Sequence, residues 1–79
     1  MTDEIVQKVI EIVANETDVS KEQIMLGTSF VDLGVDSLDF LCILAEIRKS
    51  VGPVDNVFID RIETVEDLAA AVGAKIETV

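Results

Sequence analysis

No stretch of this chain alternates apolar and polar residues with a period of two, whereas three stretches repeat apolar residues at three- and four-residue spacing. Strand side chains point alternately to opposite faces, so a half-buried sheet needs that alternation; without it, helices are the building material. In the first stretch, Asp3 to about Asn15, Ile5, Val6, Val9, Ile10, Ile12 and Val13 share one side, while Glu4, Lys8 and Glu11 point away. Thr2 suits the N-cap, and Asp3 and Glu4 suit the positive end of the helix dipole.

The second helix is expected to start at Asp36. From Leu38 to Ile47 only Asp39 and Glu46 are polar, and helical geometry returns them to one stripe with Cys42 between them. The rest of that helix is apolar almost all round, which predicts a central, largely buried element. Arg48 and Lys49 complement its negative end, and Gly52-Pro53 stop it. Thr64-Val65-Glu66-Asp67 reads as the cap of a last helix, with Val65, Leu68, Ala69 and Val72 inward and an end near Gly73.

Two connections remain. Between Glu16 and Gly34, Ser20-Lys21-Glu22-Gln23 fits a capping box that starts one short turn. Ile24, Leu26, Phe30 and Leu33 are isolated apolar residues of the kind that pin a long loop to a core. Val54 to Ile62 has room for a turn or two of helix around Asn56 to Asp60. The expected architecture is all-α: a small four-helix bundle of three main helices and one short helix, with a long first loop, forming one domain over residues 1–79.

Composition narrows the function. Sixteen acidic residues against six basic ones give a net charge of −10, which repels nucleic acid and anionic membranes and favours basic partner surfaces. No apolar run is long enough for a membrane span, and the start of the chain lacks a signal peptide's basic and apolar regions, so a cytoplasmic monomer is expected. There is no histidine and a single cysteine, which removes most catalytic triads, transition-metal sites and any internal disulfide. Asp32, Asp36 and Asp39 do not match the ligand spacing of a calcium-binding EF-hand loop. Cys42 lies mid-helix among acids without a base, a poor setting for a nucleophile. No metal and no catalytic residue is expected.

The most informative residues are Gly34-Val35-Asp36-Ser37-Leu38. Glycine permits a sharp turn, aspartate caps the incoming helix, and Ser37 then stands at a helix mouth, where N–H groups and the dipole favour a phosphate. Taken alone, Asp-Ser-Leu is ordinary helix-start punctuation. Its surroundings are not ordinary: a long pinned loop precedes it and an apolar helix follows. The run Ser29-Phe30-Val31-Asp32-Leu33-Gly34-Val35-Asp36-Ser37-Leu38-Asp39, with weaker similarity at Ile62 and Thr64-Val65, resembles an acyl carrier protein.

That resemblance implies a 4'-phosphopantetheine arm on Ser37, added from coenzyme A by a phosphopantetheinyl transferase, with Asp36 and Leu38 as the recognition context. The arm's thiol would hold acyl groups as thioesters and shuttle them between the enzymes of a fatty-acid, lipid or polyketide-type pathway. The carrier itself needs no catalytic residue, because the chemistry belongs to the thiol. Its partners would be acyl ligases, transferases or synthases with basic docking surfaces, approaching along Asp39, Cys42, Glu46 and Lys49. Cys42 between two acids, and Arg48-Lys49 where the family commonly has further acids, point to a specialised member. Other readings are an unmodified acidic helical interaction module, or a peptidyl carrier, although peptidyl carriers usually have Gly-Gly where Val35-Asp36 stand here. Crowded carboxylates should also raise one another's pKa values, so that stability falls as pH rises from about 5 to 7 and returns with salt.

Overall fold

The computed structural model describes residues 3–52 and 61–77. Within them lie three α-helices, α1 (Asp3–Thr17), α2 (Ser37–Ser50) and α3 (Val65–Glu77), and a 3-10 turn at Lys21–Gln23. The expected cap at Thr2 and the short helix around Asn56 to Asp60 lie outside the described residues. The all-helical architecture follows from the apolar spacing of the three main segments.

One core joins all of them. Val9, Ile12 and Val13 of α1 meet Ile43, Leu44 and Ile47 of α2 and Val65, Leu68, Ala69 and Val72 of α3, all buried. Among the described residues no polar or charged side chain is buried. Cohesion therefore rests on apolar burial, which contributes about 1.5–3 kcal/mol for each fully buried Val, Leu or Ile.

The central helix is α1, which packs against both α2 and α3. That corrects the expectation of a largely buried α2. A helix in so small a bundle meets neighbours on only part of its circumference, so α2 buries Ile43, Leu44 and Ile47 and leaves Leu38 71% and Leu41 55% exposed. Two further boundaries differ. The 3-10 turn has no side-chain cap: the Ser20 hydroxyl donates to the Glu22 carboxylate instead, and the turn closes through Gln23 N–H on the Ser20 carbonyl, 2.9 Å. That hydroxyl, with backbone help, holds the Glu22 carboxyl below its ordinary value. Helix α3 continues through Gly73, which is buried; a mid-helix glycine costs only about 1 kcal/mol against alanine, too little to end a well-packed helix.

The long loop is pinned through buried Ile24 and Phe30 and half-buried Leu33, whereas Leu26, expected to join them, is half-buried without packing against the core. A second set of ties is made by backbone. Phe30 N–H donates to the Glu63 carbonyl (3.0 Å), while Val65 and Glu66 donate to the carbonyls of Thr28 (3.0 Å) and Leu26 (2.8 Å). Ser29 and Thr64 form an isolated antiparallel bridge. The first N–H groups of a helix have no partner within it, so here the loop supplies carbonyls for the start of α3. This fastening places the end of the loop beside the start of α2.

Candidate functional site at the start of the second helix

Three backbone bonds fold the loop end: Leu33 to Ser29, Gly34 to Val31 and Val35 to Phe30, at 3.0–3.2 Å. Gly34 sits at φ +76°, a left-handed conformation that costs other L-residues about 1–2 kcal/mol. The chain then enters Asp36, whose extended backbone and side chain cap α2. Its Oδ1 accepts the Asp39 N–H at 2.8 Å, and the Asp39 carboxylate accepts the Asp36 N–H at 3.5 Å.

Ser37 is the first residue of α2 and is exposed. Its hydroxyl has no hydrogen-bond partner among the described residues. Serine at a helix start usually spends its oxygen on a free backbone N–H; here Asp36 does that work, and the Ser37 hydroxyl is left for other chemistry. Leu38 stands exposed next to it.

Beside the hydroxyl runs an open groove of about 430 Å³, lined by Ser29, Phe30, Val31, Val35, Asp36, Ser37, Phe40, Ile62 and Glu63. Phe40, Ile62 and Glu63 were not legible as parts of a site, because three separate segments contribute to it. A larger groove, about 640 Å³, lies at the end of α1 around Glu11, Asp18 and Lys21, away from Ser37.

The residues expected to meet partners follow one another at three- and four-residue steps along α2. Cys42 and Lys49 are exposed; Asp39 and Glu46 are half-buried, with Glu46 accepting the Ser50 hydroxyl at 2.9 Å. Exposed Leu38 and Leu41 adjoin them, a feature hidden by reading α2 as buried. Among the described residues no cluster of three or more His, Cys, Asp or Glu side chains is placed to hold a metal.

The sequence pattern of the family described as "Phosphopantetheine attachment site" matches residues 7–72. The chain belongs to that family. Phosphopantetheine attachment domains bear a 4'-phosphopantetheine group and work as carriers rather than as enzymes. The chain is also similar to the bikaverin polyketide synthase bik1 of Gibberella fujikuroi, 37% identical over 73 residues. That stretch is 89% of this chain and 4% of the synthase, so the chain spans a small part of its relative's length. The residues at the start of α2 fit such a group: an exposed hydroxyl at a helix N-terminus, without a partner among the described residues, suits a phosphodiester, and the adjoining groove offers room for the arm.

Proposed function

We propose that Ser37 is the attachment residue and that residues 1–79 act as one carrier domain, moving acyl intermediates between the enzymes of a polyketide-type or related lipid pathway. The observation that carries this reading is the exposed Ser37 hydroxyl, left without a partner among the described residues while Asp36 caps the helix. When attached, the arm supplies a thiol for thioester formation. The chain's own residues then position and present it. Asp36 holds the helix start open, exposed Leu38 gives the transferase an apolar contact beside the serine, and α2 offers a rigid surface along which an enzyme reaches the arm. Tethering raises the effective concentration of cargo at each docked enzyme, which is the kinetic benefit of a carrier.

The similarity to a polyketide synthase supports a pathway of that type over bulk fatty-acid synthesis. Cytoplasmic location and a monomeric state belong to the same proposal; no helix among the described residues is long and apolar enough to cross a membrane. The attachment is tested by intact-mass measurement after incubation with a promiscuous phosphopantetheinyl transferase and coenzyme A. One added arm, lost in Ser37→Ala, is expected; a protein that stays unmodified leaves the unmodified interaction module as the function.

Partner choice is the finer part of the proposal. The docking stripe runs from Asp39 through Cys42 and Glu46 to Lys49, with Arg48 beside it, so its first half is acidic and its last turn basic. Exposed charge pairs contribute only about 0.2–1 kcal/mol each, but repulsive ones reject partners and slow encounter. Enzymes that meet their carriers with uniformly basic surfaces are therefore poor partners. Combining Cys42→Glu, Arg48→Glu and Lys49→Glu should raise the rate of acyl transfer from a generic malonyl transferase, with a gain that salt suppresses. A native protein already as good a substrate as a fatty-acid-synthesis carrier contradicts the specialised role.

A further inference from the structure

Asp67 stands in the first turn of α3, yet its carboxylate holds more than its own helix. Its Oδ2 accepts the N–H groups of Glu63 (3.0 Å) and Thr64 (3.1 Å), and both favour the charged form. The Thr64 N–H shares a peptide unit with the Glu63 carbonyl, and that carbonyl accepts the Phe30 N–H at 3.0 Å. The Phe30 carbonyl in turn accepts the Val35 N–H at 3.0 Å. Asp36 and Ser37 follow directly. Hydrogen bonds therefore lead from the Asp67 carboxylate, through the Glu63–Thr64 peptide and Phe30, to the turn that carries Ser37. Bonds linked in this way polarise and strengthen one another.

Apolar packing does not replace this link. The buried Phe30 ring packs edge-on against Phe40, centroids 5.3 Å apart, but such burial is non-directional. The ring fixes where residue 30 lies, and its N–H bond fixes which way the backbone leaves it. The other ties from the start of α3, Val65 to Thr28 and Glu66 to Leu26, lie further from Ser37 along the chain.

We infer that Asp67 is a positioning residue for arm addition: by holding the Glu63–Thr64 peptide it orients the loop end, and so the Ser37 turn, in the form the phosphopantetheinyl transferase recognises. This inference rests on Ser37 bearing the arm. Asp67 acts through the loop and not on the hydroxyl itself. Losing it lowers the fraction of molecules with the turn in place, and a partner that recognises only those binds more weakly in proportion. Molecules already bound are in the recognised form, so the chemical step keeps its rate.

Peptide mass mapping first judges the attachment separately: an arm elsewhere than Ser37, or no arm, fails that reading and overturns this inference with it. Amide hydrogen exchange on the unmodified protein judges the loop without any arm. One net hydrogen bond shifts an equilibrium by about fivefold. In Asp67→Ala, exchange at Phe30 and Val35 and the transferase's KM for the carrier should each rise by about three- to tenfold, with kcat unchanged. Asp67→Glu completes the usual Thr-x-x-Glu capping box and keeps an acceptor for the Thr64 N–H, so it should restore most of the native KM. Ile12→Val trims the core within α1 and removes none of these bonds; it lowers overall stability and should leave KM and kcat at native values.

An unchanged KM in Asp67→Ala overturns the inference, as does a loss confined to kcat. An equal rise of KM in Ile12→Val overturns it by assigning the effect to global stability. Asp67→Glu as impaired as Asp67→Ala overturns the role of the acceptor, and a raised KM with native exchange at Phe30 and Val35 overturns the route through the loop. Should circular dichroism show Asp67→Ala unfolded, Asp67→Asn decides. Its neutral acceptor is about half as strong as the charged one, so KM and exchange should rise by about twofold, and native values for both would overturn the inference.

Discussion

Helices α2 and α3 begin with the same punctuation and use it differently. Each has an acceptor at the N-cap and an aspartate three residues on: Asp36 with Asp39, and Thr64 with Asp67. At α3 the box is closed on every side. The Asp67 carboxylate accepts from both Glu63 (3.0 Å) and Thr64 (3.1 Å), Thr64 Oγ1 accepts the Asp67 N–H (3.2 Å), and the next N–H groups are taken by loop carbonyls. Val65, the first residue of α3, is fully buried. At α2 the return bond from Asp39 is stretched to 3.5 Å, the first residue is an exposed serine with a free hydroxyl among the described residues, and the second is an exposed leucine. One helix start is a fastening. The other is a presentation platform, held in place by that fastening through the loop the two share.

The largest effect that separates them is on stability. Leu68→Ala, in the first turns of α3, removes a fully buried side chain and should cost about 2–5 kcal/mol. Leu38→Ala at the start of α2 should cost under about 0.5 kcal/mol, because its side chain is mostly in water. Its loss should appear in the rate of arm addition. Urea unfolding of both variants, beside a transferase assay, measures the contrast; comparable stability losses would remove it.

A smaller effect lies in acid. The backbone N–H groups of Glu63 and then Thr64 favour the charged form of Asp67 and hold its carboxyl below its ordinary value. The folded state then binds fewer protons at this site than the unfolded chain does. Asp67 therefore adds stability above the ordinary carboxylate pKa of about 4, and the addition is lost as pH falls through the lowered folded value. Asp67→Asn should narrow the gap between melting temperatures at neutral and acid pH, and an unchanged gap would show that the box contributes no linkage. The perturbed groups Asp67 and Glu22 both shift downward, opposite to the rise expected from crowded negative charge. Short-range hydrogen bonds to these two carboxylates outweigh the desolvation that opposes them.

These contrasts mark what sequence could and could not reveal. Helices α1 and α3 were legible because each puts its apolar residues on one stripe, and the caps at Asp36 and Thr64 were legible because their bonds span three residues. The burial of α2 was misread for a physical reason. An apolar surface all round signals core only when neighbours surround the helix, and Leu38 and Leu41 are apolar yet face water. Nothing local in the sequence encodes the bridge between Ser29 and Thr64, since a single backbone pairing leaves no side-chain pattern. The groove escaped notice for a related reason: Phe40 reads as one more apolar residue of α2, and its contact with Phe30 exists only once the loop is fastened.

The central claim, that the start of α2 presents a hydroxyl and the start of α3 does not, has a direct measurement. The native chain is treated with a promiscuous phosphopantetheinyl transferase and coenzyme A, digested, and every Ser- and Thr-containing peptide is mapped by tandem mass spectrometry. The account predicts the arm on the peptide containing Ser37 alone, with Thr64 and Ser20, Ser29 and Ser50 unmodified. An arm on any of those residues, or an unmodified Ser37 peptide under conditions that load a control carrier, would contradict it.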